Sequence, residues 1–160
     1  MSAATLMSLV REVARMSRAN GDRLAVAESC TGGGLAEAMT SVAGSSDWFD
    51  RAFVTYSNEA KQDMLGVSAT TLKRHGAVSE AVAKEMARGA LEESRGTRSV
   101  AITGIAGPGG GTPGKPVGLV WIAWAQEGKV RARQFHFKGG RAAVRRQSVH
   151  AALEGLLDKG

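Results

Sequence analysis

Two short stretches carry residue types suited to acyl-transfer chemistry. The first is Glu28-Ser29-Cys30-Thr31-Gly32-Gly33-Gly34, directly after the apolar run Leu24-Ala25-Val26-Ala27. A hydroxyl at a strand-to-helix turn projects freely, and glycines beside it let a substrate approach the backbone. The first N–H groups of the following helix can stabilise an anion, either a phosphate or a developing oxyanion. Ser29 or Thr31 acting only as a helix cap accounts for the same residues. The glycine spacing is neither a Walker loop nor a dinucleotide fingerprint.

The second stretch is Tyr56-Ser57-Asn58-Glu59-Ala60-Lys61. With Asn58 as N-cap, Lys61 falls at the third helical position, inside the positive end of the helix dipole. An exposed cation there costs about 0.3–1 kcal/mol. Burial and a positive helix end both favour the neutral amine, which is the form a general base requires. A solvated surface lysine is the plainer account. Together the two stretches suggest a Ser–Lys pair, because serine attacks poorly until a base accepts its proton. Cys30 is a competing nucleophile, but consecutive residues leaving a strand point in different directions, so only one of the two is expected to face a pocket. His75, His136 and His150 lack metal-ligand spacing, and a single cysteine excludes an internal disulfide and a thiolate-rich metal site. No metal or cofactor is expected.

The elements that must position these residues alternate along the chain. Leu6, Leu9, Val13 and Met16 form the stripe of an amphipathic helix over residues 5–19, stopped at Asn20-Gly21-Asp22. A strand at Leu24–Ala27 leads into the first stretch, and helical character resumes from Leu35 to Val42. Phe53-Val54-Thr55-Tyr56 reads as a strand ahead of the second stretch. Residues 79–94 read as a helix with Ser79 as N-cap and Gly96 just past the end. Ser99 to Thr103 reads as a strand entering the glycine-dense loop 104–111. Val117 to Ala125 is apolar on both alternating faces, as in a strand covered on both sides. Val130 to Phe137 is a more polar strand, expected near a sheet edge, and a terminal helix starts at Arg141. This order predicts an α/β fold, a three-layer α/β/α sandwich with a mixed sheet of about five strands, as one domain over residues 1–160.

Composition narrows the class. The chain of 160 residues is 43% hydrophobic and 22% charged, an ordinary globular mixture with no run long enough to span a membrane. Charged residues punctuate the first 20 positions, unlike a secretory signal, so a cytoplasmic protein is expected. The net charge of +6 admits a nucleic-acid partner or a phosphorylated small ligand. Arg141, Arg145 and Arg146 form the one tight basic cluster, and aromatic residues are too few for a stacking platform. Nucleic-acid binding and a non-catalytic nucleotide-binding module remain as rivals to an enzyme at this stage.

Four stretches in order carry a family resemblance: Ala27 to Gly33, Val54 to Lys61, His75 to Glu80 and Thr103 to Pro108. They resemble the CinA C-terminal domain family over about residues 5–157. Its stand-alone members include nicotinamide-nucleotide amidases. The resemblance implies a three-layer α/β/α fold that commonly self-associates, a dimer being favoured. It implies hydrolysis of the carboxamide of nicotinamide mononucleotide (NMN) to nicotinate mononucleotide and ammonia, in pyridine-nucleotide salvage, by a Ser–Lys mechanism without a metal. The nucleophile position matches Ser29 and the base matches Lys61. Cys30, Thr31, Gly32, Gly33, Tyr56, Thr103, Gly104, Ala106 and Gly107 match positions lining the site. Arg141 matches a phosphate-binding position, with Arg145 as a nearby alternative. The family domain is often fused behind a molybdopterin-binding-like domain, which this sequence lacks, so the pyrophosphatase activity of that partner is not expected here.

Overall fold

The computed structural model describes residues 3–158; positions 1, 2, 159 and 160 of the expected domain lie outside the described residues. Helix α1 (Ala3–Asn20) precedes strand β1 (Leu24–Glu28), helix α2 (Gly34–Thr40) and strand β2 (Phe49–Val54). Three helices follow: α3 (Asn58–Leu65), α4 (Ala69–His75) and α5 (Glu80–Glu92). Strands β3 (Arg98–Gly104), β4 (Leu119–Gln126) and β5 (Lys129–His136) then lead to helix α6 (Arg141–Leu157). The five strands form one sheet in the order β2-β1-β3-β4-β5. β1 pairs in parallel with β2 and β3, whereas β3-β4 and β4-β5 are antiparallel. The mixed sheet and its helical layers match the expected architecture, with β5 at an edge.

The two faces of the sheet are built from different side chains. Val26, Val100, Ile102, Val120, Ile122 and Trp124 pack under α1, α2 and α6. The opposite face presents Ala27, Ala101, Ala123 and Ala125 to Val82, Met86 and Ala90 of α5. Small residues let α5 approach the sheet closely enough for the Ser99 hydroxyl to donate to the Ala87 carbonyl at 2.6 Å. On the first face, the Trp124 indole N–H donates to the Ala152 carbonyl at 3.0 Å and the ring lies over Gly155, so α6 is seated by one large side chain against one missing side chain.

Several boundaries differ from the sequence reading. In α1 the buried stripe is Val10, Val13, Ala14 and Ser17, with Leu6 and Leu9 only partly covered. β2 begins at Phe49 and ends at Val54, so Thr55 and Tyr56 leave the sheet instead of extending it. Ser57, not Asn58, caps α3: its hydroxyl accepts from the Ala60 N–H at 3.0 Å. Lys61 is therefore the fourth helical residue. The α5 cap at Ser79 is as expected, its hydroxyl accepting from the Val82 N–H at 3.2 Å, while the helix closes at Glu93 ahead of Gly96.

Candidate active site

The parallel arrangement brings the carboxyl ends of β1, β2 and β3 to one edge of the sheet, where open α/β sheets bind ligands. Glu28 pairs with both Val54 and Ile102, so the residues after each strand emerge side by side. From β1 comes Ser29, from β2 come Thr55 and Tyr56, and from β3 comes the loop after Thr103.

Glu28 is fully buried, and its carboxylate accepts from the Leu35 N–H at 2.9 Å and the Ala36 N–H at 3.0 Å. The chain can fold back this tightly because Gly32 and Gly33 take φ values of 56° and 102°, which side chains resist. The sequence reading left the first amides of α2 for a ligand anion. Glu28 already occupies two of them.

Lys61 is 1% exposed, an unusual place for an amine. Its Nζ lies 3.0 Å from the Thr55 carbonyl oxygen, 3.1 Å from that of Tyr56 and 3.2 Å from Ser29 Oγ. No carboxylate forms an ion pair with it among the described residues. Burial holds its pKa below the ordinary lysine value, with weaker opposing pulls from Cys30 and Glu59. The Nζ donates to the two carbonyls and to Ser29 Oγ, whose own hydroxyl donates to the Tyr56 carbonyl at 3.4 Å.

Cys30 is buried in the core with its Sγ against Gly104 at the end of β3, and burial pushes its thiol up to about 11 despite the pull of Arg145 and Arg141. The thiol is a weak nucleophile at neutral pH in such a setting. Ser29, not Cys30, faces the amine.

Ser29, Cys30, Tyr56, Lys61, Thr103, Gly104, Ala106, Gly107 and Arg141 line one cleft of about 270 Å³. Thr31, Gly32 and Gly33 are not among its lining residues. They form the turn behind Ser29, where their conformation shapes the wall. Asn58, Ala77, Val78, Ile105, Gly109 and Gly110 complete the lining. Ala77 and Val78 belong to the third family stretch, and that was the signal for them. Thr103 fixes this region, its hydroxyl donating to the Ala77 carbonyl at 2.9 Å. Tyr56 stands at the mouth, 61% exposed, its hydroxyl 3.3 Å from Arg141 Nη2. Arg141 Nη1 donates to the Gly107 carbonyl at 2.8 Å, which holds the guanidinium at the cleft rim.

Arg145 lies elsewhere. Its Nε and Nη2 donate to the carbonyls of Cys30 and Thr31 at 3.1 and 3.3 Å, from the side of the turn facing a second hollow of about 390 Å³ between α1, α2 and α6. That hollow contains neither Ser29 nor Lys61. Two members of the basic cluster thus bind the protein's own carbonyls. Among the described residues, no His, Cys, Asp or Glu group is arranged to hold a metal ion, and no helix is long and apolar enough to cross a membrane.

The CinA C-terminal domain matches residues 6–159, nearly the full span. The chain belongs to this family. This CinA domain is 52% identical over 157 residues to the nicotinamide-nucleotide amidohydrolase PncC of Escherichia coli K12, covering 98% of this chain and 95% of that protein. It is 51% identical over 138 residues to the PncC of Pseudomonas putida, covering 86% of each. Its fold is similar to the crystal structure of competence/damage inducible protein CihA from Agrobacterium tumefaciens, with a TM-score of 0.93, 47% identity, and coverage of 95% and 93% of the two chains. A CinA superfamily protein from Escherichia coli also matches with a TM-score of 0.93 at 40% identity, covering 98% of this chain and 92% of that one.

Proposed function

We propose that this CinA domain is a nicotinamide-nucleotide amidase, hydrolysing the carboxamide of NMN to nicotinate mononucleotide and ammonia in pyridine-nucleotide salvage. The observation that carries the reading is the buried Lys61 amine 3.2 Å from Ser29 Oγ, close to two carbonyl oxygens and without a carboxylate partner among the described residues. The names of its PncC relatives supply the substrate class. The unit works as a single domain without metal or cofactor, in the cytoplasm and as a homo-oligomer, a dimer being favoured; neither nucleic acid nor membrane is a partner.

In this mechanism neutral Lys61 takes the Ser29 proton while Oγ attacks the carboxamide carbon, and the carbonyl electrons move onto oxygen. The resulting Lys61 ammonium gives its proton to the amide nitrogen as the C–N bond breaks and ammonia leaves. Water, deprotonated by Lys61, then attacks the nicotinoyl ester, and the proton returns to Ser29 Oγ as the nicotinate product departs. Pyridinium charge on the substrate opposes the ammonium form and helps keep Lys61 neutral before attack. The exposed Tyr56 ring offers the pyridinium an aromatic surface at the mouth. Arg141 meets the phosphate at the rim, in the manner expected of a planar guanidinium.

The decisive experiment is ammonia release from NMN by the purified chain and by its Ser29→Ala and Lys61→Ala variants. Turnover by the parent and its loss in both variants is the expected result. Tight NMN binding with no ammonia released by the parent would instead make the chain a nucleotide-binding module.

A further inference from the structure

The turn behind Ser29 has an asymmetry in its peptide groups that Arg145 creates. In a trans peptide unit the C=O and N–H bonds point in opposite directions. Arg145 binds the carbonyls of Cys30 and Thr31 from the side away from the cleft, so the N–H groups of the same two peptide units, those of Thr31 and Gly32, point back the other way. The Gly32 N–H closes the turn onto the Ser29 carbonyl at 3.0 Å. The Thr31 N–H has no acceptor among the described residues, and the peptide plane turns it away from Arg145. Other neighbouring donors are spent, since the Ser29 N–H reaches the Ile102 carbonyl at 3.0 Å and those of Leu35 and Ala36 serve Glu28, while the Cys30 N–H, like that of Thr31, has no backbone acceptor among the described residues.

We propose that Arg145 is a positioning residue that aims the Thr31 N–H at the oxyanion formed when Ser29 attacks a carboxamide. This rests on the reading of Ser29 as the nucleophile. A guanidinium bound to the Cys30 carbonyl polarises that peptide and strengthens its N–H as a donor. It also keeps the negative ends of two carbonyl dipoles out of the cleft, and it does so before substrate arrives, so no reorganisation is needed during the reaction. Lysine at this position carries the charge without the fork that spans both carbonyls.

The test compares Arg145→Ala and Arg145→Lys with the parent chain in steady-state ammonia release from NMN, with folding checked by circular dichroism. Both variants are expected to lose about 100-fold in kcat, the scale of one lost oxyanion donor, with KM held within about threefold. Added ethylguanidinium should restore part of the rate of Arg145→Ala and leave Arg145→Lys unchanged. Should the alanine variant not fold, the kcat-against-KM comparison is read on the lysine variant. An undiminished kcat, a loss confined to KM, or a folded alanine variant that ethylguanidinium does not rescue would each overturn the assignment. A parent chain that releases no ammonia overturns the amidase reading itself and this role with it, whereas an active parent with equally active variants overturns only the role of Arg145.

Discussion

Lys61 reaches Ser29 across the boundary between two neighbouring parallel strands, with Nζ 3.2 Å from Oγ although the residues are 32 positions apart. The approach depends on Thr55 and Tyr56, whose carbonyls leave β2 and receive the amine at 3.0 and 3.1 Å. Removing either end of this pair should therefore leave the sheet intact and stop the chemistry. Ser29→Ala and Lys61→Ala are each expected to lower kcat for NMN by about 10³-fold or more, without additivity in the double variant. Rates from the two single variants and the double variant, set beside their circular dichroism spectra, check this.

Activity should depend on pH in one direction on the acid side. Burial lowers the Lys61 pKa from the ordinary lysine value, and the base form does the work. Activity is thus present above that lowered pKa and lost as pH falls through it, because protonation removes the lone pair that takes the Ser29 proton. The acid limb of kcat/KM should sit clearly below the usual lysine range and vanish in a profile of any residual Lys61→Ala rate.

Cys30 should prove dispensable for chemistry. Its thiol, pushed up to about 11 by burial, is protonated at neutral pH and packed among core side chains. Cys30→Ala is expected to keep kcat within a few-fold while losing about 1 kcal/mol of stability from the vacated volume. Kinetics and urea unfolding of the same sample separate the two effects.

Arg141 and Arg145 should fail differently. Arg141 sits at the cleft rim, bonded to the Gly107 carbonyl and near the Tyr56 hydroxyl. Arg141→Ala is expected to raise KM for NMN about 10- to 100-fold, consistent with loss of a charge-assisted contact to phosphate. The riboside, which has no phosphate, should be nearly indifferent to the substitution, and parallel assays on the two substrates show it.

Gly89 sets the distance between α5 and the end of α3, the helix that carries Lys61. A Cβ at this position would sit on the Leu65 carbonyl oxygen, a backbone atom that cannot swing aside. Gly89→Ala gains helix propensity of about 1 kcal/mol but forces the helices apart, at a cost of about 1–3 kcal/mol or more. A lower melting temperature together with a reduced kcat is the expected outcome, measured by thermal unfolding and ammonia release.

Much of this architecture was legible in the residues themselves. Apolar residues on both faces of Val117–Ala125 marked a strand covered on both sides, and Ser79 marked a helix start. Ser29 and Lys61 stood out because a hydroxyl beside glycines and a lysine near a helix start are both locally unusual. α4 was missed because its seven residues bury only Leu72 and show no apolar period. The start of β2 was obscured by Asp50 and Arg51, charges tolerated because the Asp50 carboxylate pairs with Arg51 and accepts from the Arg95 N–H. Ser57 displaced Asn58 as the cap because both are good cap residues and only the exit angle from β2 chooses between them. The duties of Arg141 and Arg145 were beyond sequence, since four residues separate them on one helix and the loops they touch decide what each one meets.

The guanidinium of Arg141, tied to the Gly107 carbonyl at the rim, gives the pocket a built-in sense of direction. A molecule with a negative tail meets a cation at the outer lip in Arg141, while the buried end offers only the Ser29 hydroxyl and the Lys61 amine. A substrate with a neutral amide at one end and a phosphate at the other therefore enters head first.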